Sequence, residues 1–216
     1  MDRIAAKDLP KLFEGAAEIF AEKKEELCAL DARMGDGDLG LTMNKGYAAL
    51  PGLIRDNLDE EDIGKTLMKA GMKMASLVPS TMGTLMAGGM MEGGKLLKGK
   101  TSMGPEELTD YLNGFTEGIR KRGKCSLGDR TILDAMAAGS GRASIRGREA
   151  DATLTSIMEA AVEGAGEGVE ATKQMVPKYG KAAVFAARAI GTADQGTIAG
   201  LYMLMGLLRS IRKLEE

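Results

Sequence analysis

Apolar residues recur at intervals of three and four along most of this chain, the signature of amphipathic helices. Leu9, Leu12, Phe13, Ala16, Ile19, Phe20, Leu27 and Leu30 share one helical face and predict a first rod over 9–30, with Asp8 as its cap and Asp31 at its end. A glycine-rich loop follows, then a helix over about 41–49 that Pro51 is expected to break. Residues 56–62 are polar and turn-like. Ile63, Leu67, Ala70, Met74 and Leu77 mark a further helix that stops before Pro79. Residues 81–97, dense in methionine and glycine, read as a buried helix that a neighbour approaches closely.

Pro105 suits the first turn of the next helix, whose stripe is Leu108, Leu112, Phe115 and Ile119. A loop over 123–128 leads to a helix carrying Ile132, Leu133 and Met136 toward Ala143, and a charged stretch over 142–151. Leu154, Ile157, Met158, Ala161 and Ala165 predict a long helix to about residue 175. A turn over 177–180, a short apolar piece over 182–190 and a loop over 191–196 precede the closing helix of Ile198, Leu201, Tyr202, Met205, Leu208 and Ile211. Arg209, Arg212 and Lys213 suit its C-terminus. Alternating or β-branched runs are scarce, so the fold class is all-α. No linker or repeat appears, which predicts one domain over 1–216.

Composition sharpens this picture in three places. Aromatic content is 4% against 16 methionines, which favours packed helices. Net charge is −2, so nucleic acid and anionic membranes are not indicated as partners. No apolar run reaches membrane length and no signal peptide stands at the start; with Cys28 and Cys125 read as free thiols, a cytoplasmic setting is expected. The chain has no histidine, which excludes an imidazole base, a phosphohistidine and a His-ligated zinc.

The candidate chemistry lies over 31–47, D-A-R-M-G-D-G-D-L-G-L-T-M-N-K-G-Y. Asp31, Asp36 and Asp38 fall within eight residues, with Gly35, Gly37 and Gly40 between or beside them. Clustered carboxylates repel unless a cation sits among them, and hard oxygen ligands suit Mg²⁺ or Ca²⁺. The EF-hand pattern fails, since Gly40 occupies the fifth position counted from Asp36. This favours Mg²⁺ completed by a phosphate. Taken singly, each aspartate also fits a turn or a cap, Asp38 at the following helix above all.

A second feature is V-P-S-T-M-G-T over 78–84, where a helix N-terminus offers free N–H groups and hydroxyls to a phosphate, or a plain Ser/Thr cap. The stretch 94–101 satisfies the literal G-x-x-x-x-G-K-T pattern. A P-loop needs a strand before it and a helix opening at the lysine. A helical run stands upstream here and Gly104-Pro105 downstream, so this is read as a frayed helix end.

The G-D-G-D-x-G-x-x-M-x-K-G motif after an upstream Asp resembles the L subunit of dihydroxyacetone kinases, the nucleotide-binding half of those enzymes, over nearly the whole chain. G-D-R-T-I-L-D over 128–134 resembles that family's G-D-(K/R)-T-x-x-D segment beside the nucleotide; a cap by Asp129 or Thr131 is the plainer reading. K-Y-G-K-A over 178–182 resembles its lid, and D-Q-G-T over 194–197 its D-P-G-(A/T). The departures are Leu39 in place of a usual His, Pro79 and Met82 in place of small residues, and Gln195 in place of Pro.

The resemblance implies a closed ring of about eight antiparallel helices with the nucleotide at one end. It assigns two Mg²⁺ ions to Asp31, Asp36 and Asp38, which also carry the catalysis. ATP or ADP would meet Leu39, Thr42, Asn44, Ser80, Thr81, Met82, Gly83, Gly128, Asp129, Arg130, Thr131, Lys181, Asp194 and Gly196. The implied activity is phosphoryl transfer to dihydroxyacetone or a related short ketose, held by a separate K subunit through a histidine that this chain lacks. The donor is ATP or a phosphotransferase-system protein, and a homodimer is left open. The rival reading is a non-catalytic nucleotide-binding regulatory subunit of the same fold.

Overall fold

The computed structural model describes residues 2–179, 181–185 and 189–216, without the side chains of Lys181 and Phe185. The described chain is almost entirely helical. The first rod is three segments, α1 (Leu9–Leu12), α2 (Glu14–Glu22) and α3 (Lys24–Ala32). Phe13 and Lys23, at φ near −99° and −98° with ψ near zero, interrupt the regular ladder between them. Bonds such as Lys23 N–H to Ile19 O and Leu27 N–H to Lys23 O carry the axis on. The apolar spacing reports the shared face and misses these two loosened joints. Asp8 makes no side-chain cap; its carboxylate takes Lys11 instead, at 2.8 Å.

Helix α4 (Leu39–Arg55) runs through Pro51, against the expected break. An interior proline costs about 3 kcal/mol. Leu50, Pro51 and Ile54 are all buried, so the apolar face continues past the missing N–H and its packing offsets that cost. Then come α5 (Ile63–Leu77), capped by Asp62, and α6 (Thr81–Leu96), capped by Ser80. Next are α7 (Pro105–Gly123), α8 (Ile132–Arg146) and α9 (Leu154–Thr172), which stops three residues short of expectation. A 3₁₀ turn (Lys181–Phe185) precedes α10 (Gln195–Glu215). Two residues at each of two places, β1 (Ile4–Ala5) and β2 (Ser102–Met103), pair antiparallel with Ile4 opposite Met103, a small bridge that the sequence reading lacked.

The helices form a closed ring. Each of α4 to α10 packs on the next, and α10 returns to α2. At that closing seam a Cβ on Gly206 would collide with the backbone of Ala16, so glycine is what lets α10 and α2 meet. Phe13, Phe20, Tyr47, Tyr111 and Phe115 fill the middle, with Phe20 and Tyr47 ring centroids 4.6 Å apart. One buried apolar cluster extends from Ile4 to Ile211. No helix among the described residues is long and apolar enough to cross a membrane. The P-loop look-alike is the C-terminal end of α6 and the turn after it, and Lys100 pairs with Glu107 at 3.2 Å.

An up-and-down ring gathers alternate connections at each end. The α3–α4, α5–α6, α7–α8 and α9–α10 connections meet at one end, around a cavity of about 860 Å³.

Candidate metal centre and nucleotide site

Asp31 is the last acidic residue of α3 and is buried. Its backbone carbonyl takes the N–H of Met34 at 3.1 Å and of Gly35 at 2.5 Å, so the chain turns back on itself at once. Gly37, at φ +78°, completes the turn in a conformation that suits glycine, and donates its N–H to Asp31 Oδ2 at 2.9 Å. This fold of the loop brings Asp36 and Asp38 to Asp31. One oxygen from each of the three carboxylates lies within 4.8 Å of the others. Asp36 and Asp38 are exposed on the cavity side. Asp38 stands at the start of α4 but its side chain does not cap the helix, so the plainer cap reading does not account for it.

The first turn of α4 places Leu39 and Thr42 on the cavity wall, three residues apart on one face. Asn44 lies off that wall. From the α6 N-terminus, Pro79, Ser80, Thr81 and Met82 line the cavity, as do Thr84 and Leu85 one turn on. Ser80 Oγ is engaged as the cap, accepting from Gly83 N–H at 2.9 Å, so Gly83 supports the helix start from outside the wall. The first-turn N–H groups of α6 have no intrahelical acceptor and carry the positive end of the helix dipole.

The α8 N-terminus is tied more tightly. Thr131 Oγ1 accepts from Leu133 N–H at 3.2 Å, and Asp134 accepts from Thr131 N–H at 2.8 Å and Gly128 N–H at 2.6 Å. Asp129 does not cap. It is buried, accepts from Ser126 N–H at 2.7 Å, and pairs with Lys178 at 2.6 Å, which holds its carboxyl below the usual range. Gly128 and Asp129 therefore fasten the loop rather than line the cavity, whereas Arg130 and Thr131 line it.

Arg130 sits at φ +60° with 2% of its surface exposed. Its guanidinium donates to the carbonyls of Thr172 at 3.1 Å, Ala189 at 3.1 Å and Thr192 at 2.9 Å, pinning both ends of the α9–α10 connection. Its Nη1 is buried with no hydrogen-bond partner. Asp194 caps α10 by accepting from Thr197 N–H at 2.9 Å, and Gly196 lines the cavity beside it. Burial pushes the Asp194 carboxyl up to about 6, against the opposing pull of its backbone hydrogen bonds and of Arg130. Of the lid-like segment, Gly180 and the Lys181 side chain lie outside the described residues; Tyr179 and Ala182 line the cavity.

The sequence reading missed part of the wall. Met34, Leu85 and Ile132 add apolar surface to Leu39 and Met82. Leu85 follows Met82 by three residues, a spacing that was legible. Gln195 reaches Asp31 Oδ1 from across the ring, with Nε2 3.3 Å away, while its Oε1 is buried without a partner. A donor (Arg130 Nη1) and an acceptor (Gln195 Oε1) are thus unsatisfied at one cavity, beside three convergent carboxylates. This donor set fits a hard divalent cation carrying an anionic, oxygen-rich ligand, and the apolar wall fits a flat ring.

The chain matches the DAK2 domain over residues 33–209. It is 28% identical over 200 residues to the ADP-binding subunit DhaL of a PEP-dependent dihydroxyacetone kinase from Listeria innocua, covering 90% of each chain. It is 30% identical over 195 residues to a D-erythrulose kinase of Mycolicibacterium smegmatis, covering 90% of this chain and 33% of that one. Among solved structures, the dihydroxyacetone kinase of C. freundii in complex with AMP-PNP and Mg²⁺ superposes with a TM-score of 0.68 at 22% identity, over 93% of this chain and 33% of that one. That likeness shows the shared helical ring. The family match over most of the chain places the protein: it belongs to the DAK2-domain family, as a divergent, DhaL-like member.

Proposed function

We propose that this chain is the nucleotide-binding, phosphoryl-transferring subunit of a short-ketose kinase, working with a separate sugar-binding subunit. The observation that carries the reading is the convergence of Asp31, Asp36 and Asp38 at a cavity lined by the N-termini of α4, α6, α8 and α10. The names of the relatives support the class: an ADP-binding subunit of a dihydroxyacetone kinase and an erythrulose kinase.

The three aspartates would hold two Mg²⁺ ions, which when bound neutralise phosphate charge and align the transferring group. Asp31 is fixed for this by Gly37 and Gln195, while Asp36 and Asp38 reach in from the loop. The α6 N-terminus faces phosphate oxygens with its free N–H groups. Arg130 Nη1 offers a further donor to a phosphate or ribose oxygen. Leu39, Met82, Leu85 and Ile132 take the base and exclude water. The chain has no histidine, so a covalent hold on a ketose through imidazole falls to the partner.

The test is a coupled ADP-release assay with the cognate sugar-binding subunit and dihydroxyacetone or erythrulose. Turnover that requires both subunits and Mg²⁺ supports the reading. Tight Mg-nucleotide binding with no turnover by ATP or a phosphotransferase-system donor would instead identify a regulatory subunit.

A further inference from the structure

Gln195 occupies the first position of α10, directly after the cap Asp194. Proline is at home at such a position, because the first-turn N–H has no intrahelical acceptor. The backbone therefore makes no demand for glutamine, yet the side chain is engaged. Nε2 donates to Asp31 Oδ1, and Oδ2 of the same carboxylate takes the N–H of Gly37. Both oxygens of the buried carboxylate are held, each with a lone pair left for a cation.

The other end of the amide poses the question. Oε1 is buried and has no hydrogen-bond partner. Leaving such an oxygen dry and unpaired is destabilising. Turning the amide over would set its oxygen against Asp31 Oδ1, so the donor stays on that side. The acceptor is thus fixed next to the carboxylate cluster and needs a donor. Mg²⁺ keeps several of its waters when protein carboxylates bind it, and those waters are strong donors. An independent observation points to a polar ligand in the same cavity: Arg130, a lining residue almost wholly buried, has its Nη1 without a partner.

We propose that Gln195 is a positioning residue of the cation site, orienting Asp31 through Nε2 and accepting through Oε1 from a water on the cation. This rests on the nucleotide-and-cation reading above and goes beyond it, because the resemblance puts proline at this place. The amide makes cation affinity depend on α10 as well as on the α3–α4 loop.

The test uses the full chain and its Gln195→Pro and Gln195→Leu variants, with Mn²⁺ as the probe, titrated in the presence of ADP and followed by the paramagnetic resonance of free Mn²⁺. Both variants are expected to bind Mn²⁺ about tenfold more weakly. Their metal-free melting temperatures should change little, since each removes an unpaired buried oxygen together with the Nε2 bond to Asp31. Wild-type binding with both variants unchanged, or with the proline variant alone weakened, overturns this inference and leaves the proposed function standing. No Mn²⁺ uptake by the wild type with ADP removes the proposed function, and the inference with it.

Discussion

The two ends of the ring both cap their helices, but they differ in whether their buried polar groups find protein partners. At the end away from the cavity, buried polar groups are satisfied by protein partners. Glu107, 4% exposed, accepts from Gly104 N–H at 3.0 Å, Arg3 at 2.9 Å and Lys100 at 3.2 Å. Asp62 caps α5, Ile63 N–H donates to Lys100 O at 2.8 Å, and the two-residue bridge ties the N-terminus to the α6–α7 connection. At the cavity end, Arg130 Nη1 and Gln195 Oε1 are left unpaired, three carboxylates converge, and Gly37, Lys124, Gly128, Arg130 and Gly191 adopt positive φ. Among the described residues, the other buried side-chain atom without a partner is Tyr111 Oη, in the core. One end is complete as folded; the other is arranged for a ligand to complete.

That contrast can be broken most sharply at the carboxylates. Asp36→Asn should weaken Mg-ADP binding by at least about tenfold in calorimetry while leaving the melting temperature of the ligand-free protein nearly unchanged. Glu107→Ala should do the reverse. It strands the Gly104 N–H and loosens the α7 start, for a loss of about 2 kcal/mol in urea unfolding, with Mg-ADP affinity intact. Asp194→Ala, at the cavity end, should cost about 1 kcal/mol through the lost α10 cap.

The last contrast is in acid, where the ends differ in sign. Burial raises the Asp194 carboxyl to about 6 from the ordinary 3.8. The native state therefore binds a proton more readily than the unfolded chain, and this site's penalty on stability disappears as pH falls from about 6 toward 3.8. Burial also works to raise Glu107, but the Gly104 and Lys100 hydrogen bonds prevail and its carboxyl lies below 4.5. Its contribution is present above 4.5 and is lost as pH falls through the lowered value. In metal-free protein, Asp194→Asn should flatten the first interval and Glu107→Gln the second, read from urea midpoints against pH.

The ring was legible because apolar spacing and glycine or proline punctuation survive in the sequence. Pro105 opens α7 and Ser80 caps α6 where local chemistry says they should. Pro51 was misread because a local rule met a buried face that overrode it. The carboxylate cluster was legible because its members are close in sequence. Gln195 and Asp31 are 164 residues apart, and no periodicity announces a contact that depends on ring closure. Arg130 was legible as a motif residue, but not as the pin of the α9–α10 connection, because its acceptors are backbone carbonyls that no side-chain pattern marks.

The central claim is that the corner formed by Asp31, Asp36 and Asp38 holds the cation of a bound nucleotide. The most direct measurement is anomalous diffraction from crystals grown with Mn²⁺ and ADP. The account predicts manganese peaks at ligand distance from all three carboxylates, with the diphosphate against the α6 N-terminus. Nucleotide bound in the cavity with no manganese at those aspartates would contradict it.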